Sequence, residues 1–240
     1  MLKIEYGERH LEYNDIDDEY FINIFPYIRY RTMTADRGAE ATWALYKSIE
    51  YIVKNKIPGD IAECGVWNGG SMILAALALI HFGDTSRRIF MYDTFTGMPK
   101  PDEVDKRWDG VPALDTWESH QQAGTMWGFG GTLNMLKEIM AITSYPEDKL
   151  VYVEGMVEDT IPETMSEQLS LLRLDTDFYK STYHELTHLY PTLSSGGVLI
   201  IDDYGYFQGS RKATDQYIAE QNLKILLTRI DEGVRLVVKP

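Results

Sequence analysis

Asp60-Ile61-Ala62-Glu63-Cys64-Gly65-Val66-Trp67-Asn68-Gly69-Gly70-Ser71 reads as a short buried strand, a tight glycine turn and the cap of a helix over 72–81. The strand is bounded upstream by Ile57-Pro58-Gly59, a strong breaker. Ser71 is placed to accept a hydrogen bond from the first helical turn. A strand that runs through a turn into an apolar helix opens a βαβ unit, and the rest of the chain repeats that alternation. Upstream, Ala41, Leu45, Ile49 and Ile52, with Ala44, Ser48 and Tyr51, recur at helical spacing. Downstream, strands are predicted over 88–93, 149–154, 169–175 and 197–202, with helices over 133–142, 159–165, 179–190 and 210–220. Residues 224–229 and 234–239, joined by Asp231-Glu232-Gly233, predict a closing hairpin. The reading is a doubly wound α/β fold: a mostly parallel seven-stranded sheet with an antiparallel C-terminal hairpin. Residues 94–132, rich in Gly, Pro, Trp and Asp, read as a long loop with a lid-like piece. Residues 1–35, with five acids between Glu12 and Glu19, read as a solvated arm preceding one catalytic domain over 36–240.

The 240 residues carry 23 Lys and Arg against 37 Asp and Glu, a formal charge of −14. Such a chain lacks the cationic footprint that nucleic acid or an anionic membrane demands. The longest apolar run, 72–80, is far shorter than the ~20 residues that span a bilayer. The N-terminus offers no apolar signal core, and a single cysteine cannot form an internal disulfide. A soluble, reduced, cytoplasmic protein is expected, and a homo-oligomer is left open.

Ligands of doubly wound sheets bind at the carboxyl ends of the strands. Here those ends carry Glu63, Asp93, Asp175 and the pair Asp202-Asp203. An acid just before the first turn suits a cationic amine better than a diphosphate, and the turn departs from the G-x-G-x-x-G dinucleotide pattern. Asp93 is positioned to accept two ribose hydroxyls, a geometry that nicotinamide enzymes share. Asp175, Asp202 and Asp203 have no Lys or Arg beside the 202–203 pair, so a hard divalent cation such as Mg²⁺ would offset their repulsion. Asp177 reads as an N-cap for the helix at Tyr179, and Cys64 as packing. His184 and His188 flank Glu185 on a surface-type helix without a metal motif. Gly128-Phe129-Gly130-Gly131 resembles a loop tip, a weak candidate for phosphate.

The segments Pro58-Gly59-Asp60, Glu63 to Gly70, Asp93-Thr94-Phe95-Thr96-Gly97-Met98-Pro99, Asp159-Thr160-Ile161-Pro162, Leu172-Arg173-Leu174-Asp175-Thr176-Asp177 and Asp202-Asp203-Tyr204-Gly205 occur together in this chain. On these blocks it resembles the macrocin O-methyltransferase family from about Thr32 to the C-terminus. The resemblance implies a class I, S-adenosylmethionine-dependent, Mg²⁺-assisted transferase that methylates a hydroxyl of a saccharide or glycosylated metabolite. It implies a cofactor set of Glu63, Gly65, Trp67, Gly69, Ser71, Asp93, Gly155, Met156 and Asp175. It implies Asp175, Asp202 and Asp203 on Mg²⁺, Asp175 as base, and Thr32, Met33 and Tyr204 near the acceptor. Asn68 and Thr176 stand where relatives often have Arg and Gly. A catechol-like phenol, whose adjacent oxygens also chelate Mg²⁺, is the alternative acceptor. A nicotinamide-dependent oxidoreductase or epimerase, and a binding protein that kept the fold, are the alternative functions.

Overall fold

The computed structural model describes residues 2–6, 9–13, 15–123 and 131–240. β1 (Leu2–Tyr6) and β2 (Arg9–Tyr13) pair antiparallel as a separate ribbon. α1 (Glu19–Ile28) follows, then 3-10 turns over Arg29–Arg31 and Met33–Arg37, and α2 (Glu40–Lys54). The units β3 (Asp60–Cys64)–α3 (Gly70–Phe82) and β4 (Ile89–Asp93)–α4 (Ala113–Ala123)–α5 (Leu133–Ile142) come next. β5 (Leu150–Glu154), α6 (Val157–Thr160), β6 (Leu169–Leu174), α7 (Tyr179–Leu189), β7 (Leu193–Ile201) and α8 (Gln208–Glu220) complete the alternation. β8 (Thr228–Arg229) and β9 (Arg235–Val238) close the chain.

The main sheet has seven strands in the order β5-β4-β3-β6-β7-β9-β8. The first five are parallel, and β9 and β8 are antiparallel at one edge. The chain order reverses between β3 and β6, which makes their carboxyl ends the switch point where a crevice opens. Register sets Glu63 of β3 beside Arg173 of β6, with Ile200 of β7 beyond. Alternating strand residues face two cores, as period two requires. Ile61, Met91, Leu171 and Ile200 pack with α1, α2, α3 and α5 on one side. Ala62, Tyr92, Leu172 and Ile201 pack with α7 and α8 on the other. α3 is buried on nearly every face, which its uninterrupted apolar sequence permits.

Several expectations change. Residues 15–35 are not a solvated arm. Phe21, Phe25 and Ile28 enter the same core as α3, and the Tyr20 hydroxyl donates to the Leu77 carbonyl at 3.2 Å. The acid run is used locally: Asp18 Oδ1 accepts from Phe21 N at 2.9 Å as the α1 cap, and its Oδ2 accepts from the Tyr46 hydroxyl. The 94–132 loop contains α4, whose Trp117 indole donates to the Met98 carbonyl at 2.9 Å. Ser71 does not cap α3; Gly69, at φ +78°, occupies that position, and Ser71 is buried in the first turn. The predicted strand over 224–229 shrinks to two residues. The loop tip at 128–130 lies outside the described residues.

Candidate active site

A cavity of about 470 Å³ opens at the carboxyl edge of the sheet, beside the β3–β6 switch point. Glu63, Gly65, Trp67, Ser71, Asp93, Gly155, Met156, Asp175, Asp202 and Asp203 line it, together with Thr32 and Met33 from the N-terminal segment. Two expected residues stand elsewhere. Gly69 packs under α5, where a Cβ would lie 2.4 Å from Leu136 Cδ1. Tyr204 turns away: its hydroxyl donates to Asp215 at 2.9 Å, and its ring faces Arg235 and Arg211.

The centre of the site is a residue that the sequence reading passed over. Arg173 is 2% exposed in a strand covered on both faces. Its Nη1 donates to Glu63 Oε1 at 2.5 Å and to Asp175 Oδ2 at 2.6 Å. Its Nη2 donates to Asp202 Oδ1 at 2.6 Å and to Thr34 Oγ1 at 2.7 Å. Thr34 in turn donates to Asp202 Oδ1 at 3.0 Å. The 202–203 pair therefore does have a cation beside it, delivered from the neighbouring strand. A charge inside an otherwise aliphatic strand must be paired, and that rule was the available signal.

One guanidinium does not neutralise this group. Burial pushes the Glu63 carboxyl up to about 8, against the pull of Arg173. Burial also raises the Asp175 carboxyl well above the carboxylate range, with Asp202 and Asp203 adding repulsion and Arg173 opposing. Asp203 is raised by burial first, then by Asp177 and Asp202. Asp177 is not a helix cap: Phe178 holds that position. Asp177 adopts φ +64°, its backbone N–H donates to Asp203 Oδ2 at 3.0 Å, and its carboxylate joins Asp175 and Asp203. One oxygen from each of these three lies within 4.8 Å of the others, and Asp202 is outside that group. Three hard oxygen donors suit a divalent cation of the Mg²⁺ kind.

Beside this group, across the shared Arg173 Nη1, Glu63 Oε2 is buried without a hydrogen-bond partner among the described residues. An unpaired buried carboxylate oxygen is costly, and a cationic amine would satisfy it. Asp93 is busier than expected. Its Oδ2 accepts from Val66 N and Trp67 N at 2.9 and 2.8 Å, and its Oδ1 from Phe95 N at 2.8 Å. Asp93 thus shapes the turn between β3 and α3, in which Trp67 holds φ +47°. Of the six left-handed non-glycine residues among the described residues, Trp67 and Asp177 line the cavity and Phe95 follows the lining residues Asp93 and Thr94. Cys64 is buried and free, as expected for packing. Glu185, read as part of a surface-type helix, is 0% exposed.

A profile of the family described as macrocin-O-methyltransferase (TylF) matches residues 29–236. The chain belongs to the macrocin O-methyltransferase family. It is an O-methyltransferase, and the nicotinamide and non-enzymatic alternatives fall away. The chain is 32% identical over 183 residues to 8-demethyl-8-(2,3-dimethoxy-alpha-L-rhamnosyl)-tetracenomycin-C 4'-O-methyltransferase of Streptomyces olivaceus, covering 76% of this chain and 67% of that one. It is 31% identical to mycinamicin III 3''-O-methyltransferase of Micromonospora griseorubida, over 79% of this chain and 72% of the relative. The structure of the O-methyltransferase NovP superposes with a TM-score of 0.75 at 25% identity, over 87% of this chain and 83% of that chain. The calicheamicin methyltransferase CalS11, at 21% identity, shares the fold with a TM-score of 0.66, over 93% of this chain and 86% of that chain. No helix among the described residues of this family member is long and apolar enough to cross a membrane.

Proposed function

We propose that this macrocin O-methyltransferase family member transfers the methyl group of S-adenosylmethionine to a hydroxyl of a saccharide or glycosylated small molecule, with help from Mg²⁺. The observation that carries the reading is one cavity in which Arg173 joins two acidic features: the unpaired Glu63 oxygen and the Asp175–Asp177–Asp203 group. The relatives support the acceptor class, since the substrate named for the tetracenomycin enzyme carries a rhamnosyl group. The catalytic unit is taken as 36–240, with 1–35 as an N-terminal addition, of which Ile16, Phe21, Phe25 and Ile28 pack on it.

Glu63 and the 65–71 turn would hold the methionine end of the cofactor, and Gly155 and Met156 would border its adenine. S-adenosylmethionine supplies a methyl on a sulfonium, an activated leaving group. Asp175 and Asp203, with Asp202 or Asp177 completing the set, would hold the cation. Mg²⁺ supplies a Lewis acid that lowers the pKa of a nearby hydroxyl. The protein's own tasks are then alignment and proton removal. Alignment can contribute roughly 7–11 kcal/mol of the barrier. For proton removal, Asp175 keeps one oxygen on Arg173 and has the other to offer. Asp177 stands within the same acid group and is the second candidate. A positioned carboxylate base is worth about 10²–10⁴-fold in rate. Thr32 and Met33 line the cavity from the strap side, where the acceptor would enter.

The test offers methyl-labelled cofactor with a panel of rhamnosides and with catechol, each with Mg²⁺ and with EDTA. Label on a rhamnoside that requires Mg²⁺ is expected. Label on catechol alone would move the acceptor to phenols. Full transfer in EDTA would remove the cation from the reading.

A further inference from the structure

Beneath the acid group lies a buried carboxylate that the reaction does not use. Glu185 sits in the second turn of α7, 0% exposed. Burial raises its pKa to about 8, against the Thr176 hydrogen bond, with Glu158, Asp203 and Asp175 adding to the rise. Both its oxygens accept from the Thr176 hydroxyl, at 2.9 and 3.2 Å. Thr176 is the residue between Asp175 and Asp177. The turn it belongs to is strained, because Asp177 is held at φ +64°. Such a conformation persists only where its surroundings hold it. Asp203 holds one side of the turn through the Asp177 backbone N–H. Glu185 holds it from below. One turn earlier on the same helix face, Ser181 donates to Glu158, a residue of the cavity's other wall.

We propose that Glu185 is a positioning residue that acts through Thr176 to hold the Asp175–Asp177 turn in its cation-binding geometry. This rests on the proposed cation site. It assigns the pair no contact with the cofactor or acceptor. Loss of the pair lets the turn relax, so the acid oxygens disperse while Glu63, fixed on β3 and paired with Arg173, stays in place.

The experiment uses the full chain with two probes: S-adenosylhomocysteine by calorimetry, and Mn²⁺ by electron paramagnetic resonance in its presence. Thr176→Val should raise the Mn²⁺ Kd at least tenfold and shift the S-adenosylhomocysteine Kd less than twofold. Thr176→Ser restores the hydroxyl and should bring the Mn²⁺ Kd to within threefold of the parent. Glu185→Gln keeps an acceptor and should also stay near the parent, whereas Glu185→Leu should follow Thr176→Val. Unchanged Mn²⁺ affinity in Thr176→Val would overturn the proposal while leaving the cation site standing. Parallel losses of both ligands, or failure of Thr176→Ser to rescue, would show a merely structural role. A parent protein that binds S-adenosylhomocysteine but no Mn²⁺ would overturn the cation site and this inference together.

Discussion

At Gly65 the backbone takes φ +84°, and a Cβ there would lie 1.9 Å from the Asp175 carbonyl oxygen. The glycine is required where β3 passes β6, before any ligand arrives. Gly65→Ala should therefore destabilise the chain by on the order of 3 kcal/mol, combining backbone strain and overpacking, visible as a lowered midpoint in thermal unfolding. A midpoint within a degree of the parent would show that the strands can part there. Arg173 makes the opposite case. Removing one partner of a buried ionic group costs about 3–5 kcal/mol. Arg173→Met should reach that range near neutral pH and recover part of it in acid, where protonation removes the leftover charges. Glu63 and Glu185 give a pH dependence whose sign can be worked out. Each has an ordinary pKa of 4.5 that folding raises to about 8. Between those values the folded chain binds more protons than the unfolded one, so stability should fall as pH rises from 4.5 to 8. Thermal unfolding of the cofactor-free protein at pH 5.5 and 8 should show the decline, and Glu185→Gln should flatten it. An equal slope in that variant would mean that Glu185 keeps its charge state. The acids at the strand ends were legible because each closes a short, mostly apolar strand. Arg173 was not, because three of its four partners, Glu63, Asp202 and Thr34, are distant in sequence and only the fold brings them to it.

Among the elements, the parallel strands and the helices between them were readable, since buried strands write themselves as short aliphatic runs and helices as 3.6-residue stripes. α1 was missed for a physical reason. Its sequence, EYFINIFPYI, has Pro26 inside, and it follows an acidic run that reads as a solvated arm. The packing settles it instead: Phe21 meets Phe25, Trp43 and Tyr46 at ring-centroid distances of 5.0–5.5 Å. Phe21→Ala should cost about 3–5 kcal/mol, as large-to-small core changes do. A loss below about 1 kcal/mol by urea unfolding would mean that α1 is only loosely attached. α4 escaped because its residues, ALDTWESHQQA, are mostly polar and carry little apolar stripe. The catalytic elements thus came from pattern, and the elements that cover them came from contacts.

For the molecule as a whole, −14 charges and a cavity walled by acids make cations the natural occupants. Added Mg²⁺ should raise the thermal midpoint, following RT ln(1 + [L]/Kd), and Asp203→Asn should blunt the rise. A flat Mg²⁺ titration of the midpoint would argue against a cation site at these strand ends. The strap that carries Thr34 has one further consequence. Thr34 meets Asp202 across 168 positions of chain and Arg173 across 139. Contacts between such distant positions form late, because the entropy of closing the intervening loop must be met first. A ribosome delivers residue 34 long before residue 202, so α1 can collapse on α3 while its neighbouring strap still waits for β7. In refolding, Trp43 fluorescence should recover first, and competence to bind S-adenosylhomocysteine should trail it. The cavity is the last thing the chain finishes, and a stalled or clipped chain lacking β7 would hold a native-looking half and bind nothing.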